Sequence, residues 1–506
     1  MTDPHDKTLP RARAAALVAF ACAAISNGGA QAAEGVAALT AEITELTKAN
    51  AALERRLDAL EPQPAPSFAD YLASAAQAPA AALQTGGPLT FKGVTIFGAL
   101  DAGVAYQSRG VPMNGAFPQG IEYGVSKNSD KPGFRLAPGG MGYSGIGVKG
   151  SEQLLPGLAG VFAAYTNFNP LSGQLSNGPA SLVQNNGLPL TAQSANGDSR
   201  SAGQAFNDYA YVGLSSERFG VLTFGRQRTL TTDDRSAYDP IASSLAFSLL
   251  GYSSTLSSGD TENSRFDEAV KYRVTYGPVR FGAIYKFAPS GTGAGQTSAP
   301  TYQLSTGFDY DALSFDATYS HVSGAITLSS LSAAQVATKP AQSLAATISD
   351  NQAVLVSAKY TTGPLRLYVG YEYYIYSDPK TPLLAPYTDY NGYLISVATN
   401  NAYQYHHKVM QLFWTGFRYA YDPKIDISLG YYLLGQNSYG KQNCWSTKAS
   451  TCGGAENALG AVAEYHFNRQ LKAYGGLMYT VVTNGMASGF LHANSVDPTV
   501  GMRYEF

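Results

Sequence analysis

The sequence predicts an all-β fold: a 16-stranded antiparallel transmembrane β-barrel preceded by a short N-terminal coiled-coil helix. Composition is the first reason, because the 506 residues include 53 glycines and 35 tyrosines but only 14% charged residues. Soluble domains carry about 25% charged residues. The second reason is an apolar–polar alternation with a period of two from Val94 onward, typical of strands with two different faces. The third is a regular alternation of short and long connections, as in outer-membrane barrels.

The composition also excludes other classes of protein. A helical membrane protein needs runs of about 20 apolar residues, whereas the longest uncharged apolar run has 13 residues, at 14–26. The low charge argues against a disordered chain. A net charge of −2 leaves no basic footprint for nucleic acid, so we expect no nucleic-acid partner.

Residues 1–32 have the features of a secretory signal peptide. Three basic residues precede the apolar run, and Ala30 and Ala32 supply small side chains before a cleavage site after Ala32. A buried helix would leave those small residues unexplained. Lipidation at Cys22 is disfavoured because Ala19 stands where a lipoprotein signal has a Leu-like residue. The mature chain is therefore predicted to enter an oxidising compartment.

Residues 33–60 predict a periplasmic coiled coil. Two sets of residues recur every seven positions: Val36, Ile43, Asn50 and Leu57, and, offset by three, Leu39, Leu46, Leu53 and Leu60. The alternative, a lone amphipathic helix packed on a domain, would need wider apolar coverage. Asn50 is the kind of polar residue that fixes register in such a seam. A coiled coil implies an oligomer, and residues 61–92, rich in Pro and Ala, follow as a semi-rigid linker.

The barrel is predicted over residues 93–506. The candidate strands are 94–106, 141–150, 158–168, 208–215, 220–227, 265–276, 278–287, 301–310, 313–321, 352–360, 365–376, 407–420, 426–436, 456–467, 470–480 and 499–506. An even number of strands places both ends of the barrel on the rim with short turns, which is periplasmic in outer-membrane barrels. The predicted coiled coil lies before the first strand and would share that side.

Side-chain parity assigns one face of each strand to lipid and the other to the lumen. On the last strand Val500, Met502, Tyr504 and Phe506 share the lipid face. The apolar faces often end in Tyr or Phe, as the aromatic girdles of membrane barrels require. A soluble sandwich would also alternate, so the aromatic ends carry the distinction.

Several segments resemble the trimeric Gram-negative outer-membrane porins, especially their betaproteobacterial-type branch. The segments are 94–104, 145–152, 209–215 and 219–227, together with Tyr504 and the C-terminal Phe506, which resemble the signal read by the barrel-assembly machinery. The resemblance covers residues 94–506. It implies a homotrimer in the outer membrane of a Gram-negative bacterium, assembled in contact with lipid and that machinery. The coiled coil is a departure from the ordinary family pattern.

The resemblance also implies a function, a water-filled channel for passive diffusion of ions and small hydrophilic solutes. Its third long connection, about residues 229–264 and hereafter loop 3, is implied to fold inward as a constriction. The alternatives left open are a substrate-specific channel for small organic anions or other nutrients and, more remotely, a barrel enzyme. The predicted coiled coil is the reason for the first alternative, because a substrate-specific relative could resemble the trimeric porins that carry a periplasmic helical extension.

The charges of the chain suggest how such a constriction would work. Loop 3 is acidic, with Asp233, Asp234, Asp239 and Glu262 as the candidate residues. The candidate basic wall comprises Arg226, Arg265, Lys271, Arg273, Arg280, Lys286, Lys359, Arg366 and Arg418. An acidic loop facing a basic wall would set up a transverse field. Structural pairing of these lumen charges is the competing interpretation.

Enzyme chemistry is not expected. A barrel hydrolase needs a nucleophile and a His held by a third group, but the histidines of the mature chain fall on different strands and loops without a motif. We therefore expect no catalytic, cofactor or metal site. Cys444 and Cys452 have seven residues between them, and in an oxidising compartment a local disulfide is expected.

Overall fold

A computed structural model describes residues 89–109, 132–171, 205–253, 264–287, 300–390 and 393–506, with scattered residues between 41 and 51 and between 173 and 189. The predicted signal peptide lies outside the described residues. In the chain's first compact unit, residues 1–63, the described residues between 41 and 51 are helical. There the Thr47 hydroxyl donates to the Ile43 carbonyl at 2.7 Å. The pairing of this helix into a coiled coil stays a prediction.

The second unit, residues 64–506, contains a closed antiparallel barrel of sixteen wall strands. They are β2 (Val94–Gln107), β4 (Ser144–Leu155), β5 (Leu158–Phe168), β6 (Tyr209–Ser216), β7 (Gly220–Arg228), β8 (Arg265–Tyr276), β9 (Val279–Lys286), β10 (Thr301–Tyr310), β11 (Leu313–Ser329), β12 (Ser343–Thr362), β13 (Leu365–Ser377), β16 (Lys408–Asp422), β17 (Ile425–Gln436), β18 (Gly454–His466), β19 (Leu471–Asn484) and β20 (Asn494–Glu505). Each pairs with its sequence neighbour in the wall, and β2 pairs with β20 from Ala99↔Glu505 to Ala105↔Thr499. The 16-stranded fold predicted from the sequence is confirmed.

Four short strands supplement the wall: β1 (Leu89–Phe91), β3 (Gly133–Ala137), β14 (Tyr387–Tyr390) and β15 (Tyr393–Thr399). β1 pairs with the start of β2, so the predicted linker ends earlier than residue 92. β15 pairs in parallel with β12 beyond the barrel wall. Within the described residues of this unit, the helices with defined bounds are α1 (Leu230–Tyr238), α2 (Leu249–Ser253) and α3 (Ala333–Val336), and residues Gly485–Ala487 form a 3₁₀ turn.

Some predicted strand ends are wrong, mainly at the rim with long loops. β11 extends to Ser329 and β12 starts at Ser343, because these strands continue pairing with each other beyond the predicted ends at 321 and 352. The last strand starts at Asn494 rather than 499, and Pro498 lies within it. The short turn predicted at 151–157 shrinks to two residues because β4 pairs through Leu155.

The two faces of the wall follow the predicted parity. On β20, Val500 is 58% exposed and Met502 is 49% exposed, whereas Asp497 and Thr499 are buried inside. On β13, Val369 faces outward and Glu372 is fully buried inside. Apolar side chains therefore cover the outer surface, as a barrel in lipid requires. Among the described residues, no helix is long and apolar enough to cross a membrane.

Candidate functional site

Loop 3 runs along the inside of the barrel. Thr229 caps α1, since its side chain accepts from the Thr232 N–H. The next two N–H groups, of Leu230 and Thr231, donate to Gln303 Oε1 on β10 at 2.7 and 3.2 Å. These contacts satisfy N–H groups that the first turn of a helix leaves unpaired. Leu230 packs in an apolar cluster with Phe266 and other buried side chains of the inner wall.

The second half of the described loop packs against the opposite part of the wall. Ile241, Leu245 and Phe247 form an apolar cluster with Val462 and Tyr474 of β18 and β19. A Cβ placed at Gly460 would lie 1.8 Å from the Phe247 carbonyl oxygen, so a glycine is required where the loop backbone touches β18. Loop 3 is thus attached to two sides of the interior over residues 229–253. Glu262 lies outside the described residues.

Asp233 is the loop acid that meets the basic wall. Its carboxylate pairs with the Lys271 ammonium at 2.6 Å and with the Arg273 guanidinium. Lys271 also donates to the backbone carbonyl of Arg228 at 2.8 Å. The acid and the two bases are therefore in direct contact rather than separated by an aqueous gap. One carboxylate between two cations leaves this cluster with a net positive charge.

Asp234 and Asp239 are buried against the wall. Asp234 accepts hydrogen bonds from Ser357 and from Thr318, the latter at 3.2 Å. Asp239 accepts from Ser248, from the Tyr432 hydroxyl at 2.7 Å and from backbone N–H groups of the loop.

Burial raises the pKa of both carboxyls. For Asp234, the neighbouring Asp316 carboxyl adds to the effect of burial, and the pKa lies well above its ordinary value. For Asp239, the hydrogen bonds counteract only part of the effect of burial on its pKa. These two acids therefore contribute less negative charge to the lumen than the sequence suggests.

Arg235, the base among the described residues of loop 3, binds a wall acid. Its guanidinium donates to Glu372 Oε2 at 2.8 and 2.6 Å and to the Tyr374 hydroxyl at 2.7 Å. The Glu372 side chain is fully buried and that of Arg235 is 9% exposed. Trp414 completes this attachment, since its indole N–H donates to the Tyr238 carbonyl at 3.0 Å. At this contact the loop supplies the base and the wall supplies the acid, which is the reverse of the predicted acidic loop on a basic wall.

The other predicted wall bases are distributed along the barrel. Arg226 pairs with Asp267 at 2.5 Å. Arg280 pairs with Asp309 and Asp316 and donates to the Tyr238 hydroxyl at 3.2 Å. The Lys359 ammonium lies 5.6 Å from the Tyr238 ring centroid. Thus Lys271, Arg273, Arg280 and Lys359 come together around α1, whereas Lys286 ends β9.

Arg366 and Arg418 lie nearer the short-turn rim, where they face each other in the register of β13 and β16. Arg418 belongs to a second group of charges, hereafter the short-turn network, which consists of Arg418, Asp426, Glu464, His466 and Lys472. Arg418 contacts Asp426 at 2.6 Å and Glu464 at 3.3 Å. Lys472 contacts Glu464 at 2.6 Å. Most of these pairs join neighbouring wall strands, but the Arg418–Glu464 pair reaches from β16 across β17 to β18.

Asp208 is the site residue that sequence reasoning missed. Its fully buried carboxylate pairs with Arg228, the last residue before loop 3, and with Arg265, the first residue after the loop. Burial opposes its ionisation, but the two arginines hold its pKa below its ordinary value. The candidate strand 208–215 includes this residue, and parity then places it on the face opposite Tyr209. In the structure β6 starts at Tyr209, so the period-two rule does not apply to residue 208. One signal in the sequence could have found it. An acid ends the long connection before β6, and an arginine stands at each end of the next long connection, loop 3.

Two further predicted features lie outside the lumen charges. Cys444 and Cys452 form a disulfide with Cα atoms 4.9 Å apart. Phe506 closes the barrel, because its N–H and carbonyl exchange hydrogen bonds with Gly98 at 3.0 and 2.9 Å. Its ring lies 6.2 Å from that of Tyr504 on the outer face.

Comparison with known proteins supplies the family. Residues 69–485 match the family model described as Gram-negative porin. The chain belongs to this family. An outer membrane porin protein of Bordetella pertussis is 26% identical over 196 residues, which are 38% of this chain and 43% of that protein. The match thus spans less than half of that relative's length.

Solved structures share the fold. The anion-selective porin from Comamonas acidovorans has a TM-score of 0.54 and 15% identity, over 82% of this chain and 99% of that one. The trimer form of OmpT, an outer membrane protein of Vibrio cholerae, has a TM-score of 0.50 and 15% identity, with coverage of 82% and 99%. At these identities the similarity concerns the architecture of the barrel.

Proposed function

We propose that this protein is an outer-membrane porin, a homotrimer whose barrels are water-filled channels for passive diffusion of ions and small hydrophilic solutes. One observation carries the proposal: a closed 16-stranded barrel, apolar outside, holds a loop that packs against its charged inner wall. Barrels of about this strand number leave an aqueous lumen. Membership of the Gram-negative porin family favours a channel over an enzyme.

Conductance in planar bilayers tests this proposal. Purified oligomers should insert and conduct in three equal steps, one for each barrel. Absent conductance would overturn the proposal, and a single ligand-gated step would favour a substrate-specific transporter.

A channel that favours small organic anions is the second candidate. Two clusters each place two cations on one carboxylate: Arg228 and Arg265 on Asp208, and Lys271 and Arg273 on Asp233. The resulting excess positive charge, fixed on rigid strands, would attract anions in a narrow low-dielectric passage. Liposome swelling with matched sugars, amino acids and dicarboxylates distinguishes the two candidates. Faster swelling with dicarboxylates than with neutral sugars of similar size would favour the second.

The segments before the barrel have their own proposed roles. Residues 1–32 direct secretion, residues 33–60 clamp the trimer in the periplasm, and Tyr504 with Phe506 signals to the barrel-assembly machinery. Deleting residues 33–60 should leave conducting barrels whose oligomers melt at a lower temperature. A wholly monomeric product would instead make the coiled coil the main trimerisation element. Replacing Phe506 with Ala should lower the yield of folded barrel, while Phe467→Ala at a turn should not.

A further inference from the structure

The two ends of loop 3 meet at one buried carboxylate. Arg228 donates to Asp208 through Nε at 3.0 Å and through Nη2, and Arg265 donates through Nε at 2.6 Å. The backbones of the flanking residues also join, since the Thr229 N–H donates to the Ser264 carbonyl at 3.1 Å. We call Asp208, Arg228 and Arg265 the stem lock.

Asp208 is itself held independently of loop 3. Its N–H donates to the Tyr165 carbonyl of β5 at 3.3 Å. The preceding Asn207 side chain exchanges two hydrogen bonds with the backbone of Asn167, at 2.7 and 2.8 Å. The carboxylate is therefore anchored to β5, and it can restrain the arginines at both ends of the loop.

The stem lock also controls where two positive charges lie. The Arg228 side chain is 32% exposed and the Arg265 side chain is 8% exposed, and the Arg228 guanidinium lies 5.6 Å from the Tyr209 ring centroid. Charge-assisted hydrogen bonds to a shared carboxylate fix both guanidiniums in direction as well as in position. Without the carboxylate, both cations would turn towards water, because a buried cation without a partner is costly.

We propose that Asp208 is a positioning residue of the permeation path, which joins the two ends of loop 3 and directs the stem arginines, so that it determines the steadiness of the open channel. This inference rests on the proposed channel function. The proposal predicts two effects that can be measured separately, a change in ion selectivity and a loosening of the two ends of loop 3. An ordinary lumen charge would change only the selectivity. Changing the lock alters selectivity according to the charge removed, but it loosens the stem whichever partner is removed.

Four variants test the proposal in planar bilayers. Asp208→Asn removes a negative charge from the lock, and Arg265→Gln removes a positive charge. Asp267→Asn is the matched control, because it removes a carboxylate that pairs with Arg226 on the same wall but binds neither stem arginine in the described contacts. Arg228→Gln covers the case in which Asp208→Asn does not fold.

We expect the lock variants to shift the ion selectivity in opposite directions, depending on the charge removed, and to increase the frequency of transient closures alike. Asp208→Asn should move the reversal potential towards anions, and Arg265→Gln and Arg228→Gln should move it towards cations. All lock variants should close transiently about tenfold more often than wild type, as expected for the loss of hydrogen bonds to a charged group. Asp267→Asn should move the reversal potential towards anions without added closures. Equal closure rates in the lock variants and in Asp267→Asn would overturn the proposal.

A spin label distinguishes failure of this inference from failure of the channel function. A nitroxide attached through Ser264→Cys reports on the stem whether or not the protein conducts. Its spectrum should show an immobile label in the otherwise wild-type chain and in Asp267→Asn, and a mobile label in Asp208→Asn and Arg265→Gln. If the wild-type protein does not conduct but the labelled proteins show this pattern, the proposed channel function is refuted and the proposed role of the stem lock is retained. Unchanged spectra in the lock variants would refute the lock.

Discussion

The charged side chains around loop 3 and those of the short-turn network are organised differently. In the network, Arg418 and Asp426, like Lys472 and Glu464, are eight residues apart in the chain. Around loop 3, Arg235 and Glu372 are 137 residues apart. The network joins side chains of the wall strands β16 to β19, most of them on strands that already hydrogen bond to each other, whereas the loop pairs connect a separate segment to the wall.

The two regions also differ in redundancy. Glu464 has two cationic partners, Lys472 and Arg418, and Arg418 has two acidic ones. In contrast, the Arg235 guanidinium is the cation that contacts Glu372 in the described ion pairs. We infer that the network tolerates the loss of one member better than the Arg235–Glu372 contact does. The predictions below test this difference.

Breaking the Arg235–Glu372 pair should have the largest effect. Arg235→Met leaves a fully buried carboxylate without its counter-charge, which typically costs about 3–5 kcal/mol. The folded barrel should melt at a lower temperature, and its single-channel current should be larger and noisier because α1 loses an anchor. Heat-dependent gel migration and bilayer recordings measure the two effects.

The matched control is the double variant Arg235→Met/Glu372→Gln, which removes the stranded charge as well. It should recover a large part of the lost thermal stability, since the two residues are coupled. Unchanged melting in Arg235→Met would contradict the assigned importance of this contact.

The next effect concerns selectivity and separates two neighbouring loop acids. Asp233→Asn should shift the reversal potential towards anions, because Lys271 and Arg273 lose their shared carboxylate. Asp234→Asn should shift it little, since burial already raises the pKa of that carboxyl. The difference should shrink in about 1 M salt, where the Debye length is only ~3 Å. Equal shifts in the two variants would show that Asp234 is charged. Arg273→Gln with Arg280→Gln is the control of opposite sign.

The sequence predicts the wall well, because period-two alternation depends only on which face meets lipid. Parity assigns Arg418 to the lumen, and its guanidinium contacts Asp426 and the buried Glu464 on the inner face. Pairs between adjacent strands follow from that parity plus register. The strand ends at the long-loop rim are harder to predict, since β11 and β12 continue pairing as far as Ser329↔Ala345, beyond the residues whose alternation predicts these strands.

The contacts of loop 3 could not be predicted from the same rules. Counting charges gives an acidic loop, but it does not reveal that Asp234 and Asp239 are buried or that the loop base Arg235 binds Glu372. Those contacts depend on how a loop without periodicity packs across the barrel. The same applies to Asp208, because β6 starts one residue later than the candidate strand 208–215 and the side chain of residue 208 therefore need not follow the alternation.

A smaller effect is expected from pH. The pKa of Asp234 is raised in the folded state, so the folded protein binds more protons than the unfolded chain between the ordinary and the raised pKa. The stability from this group is fully present below the ordinary pKa and is lost as pH rises through the folded pKa. The melting temperature of wild type minus that of Asp234→Asn should therefore be larger at about pH 5 than at about pH 8. A constant difference between the two proteins would contradict the raised pKa.

Removing one member of the short-turn network should have the smallest effect. Lys472→Met takes away a partly exposed cation, but Glu464 keeps Arg418 at 3.3 Å, so the cost should be smaller than that of Arg235→Met because the buried carboxylate keeps a counter-charge. Adding Arg418→Met leaves the Glu464 side chain, which is 2% exposed, without either cation. The double variant should therefore lose much more stability than the sum of the single variants. If Lys472→Met alone lowers the melting temperature as much as Arg235→Met, redundancy does not distinguish the two regions.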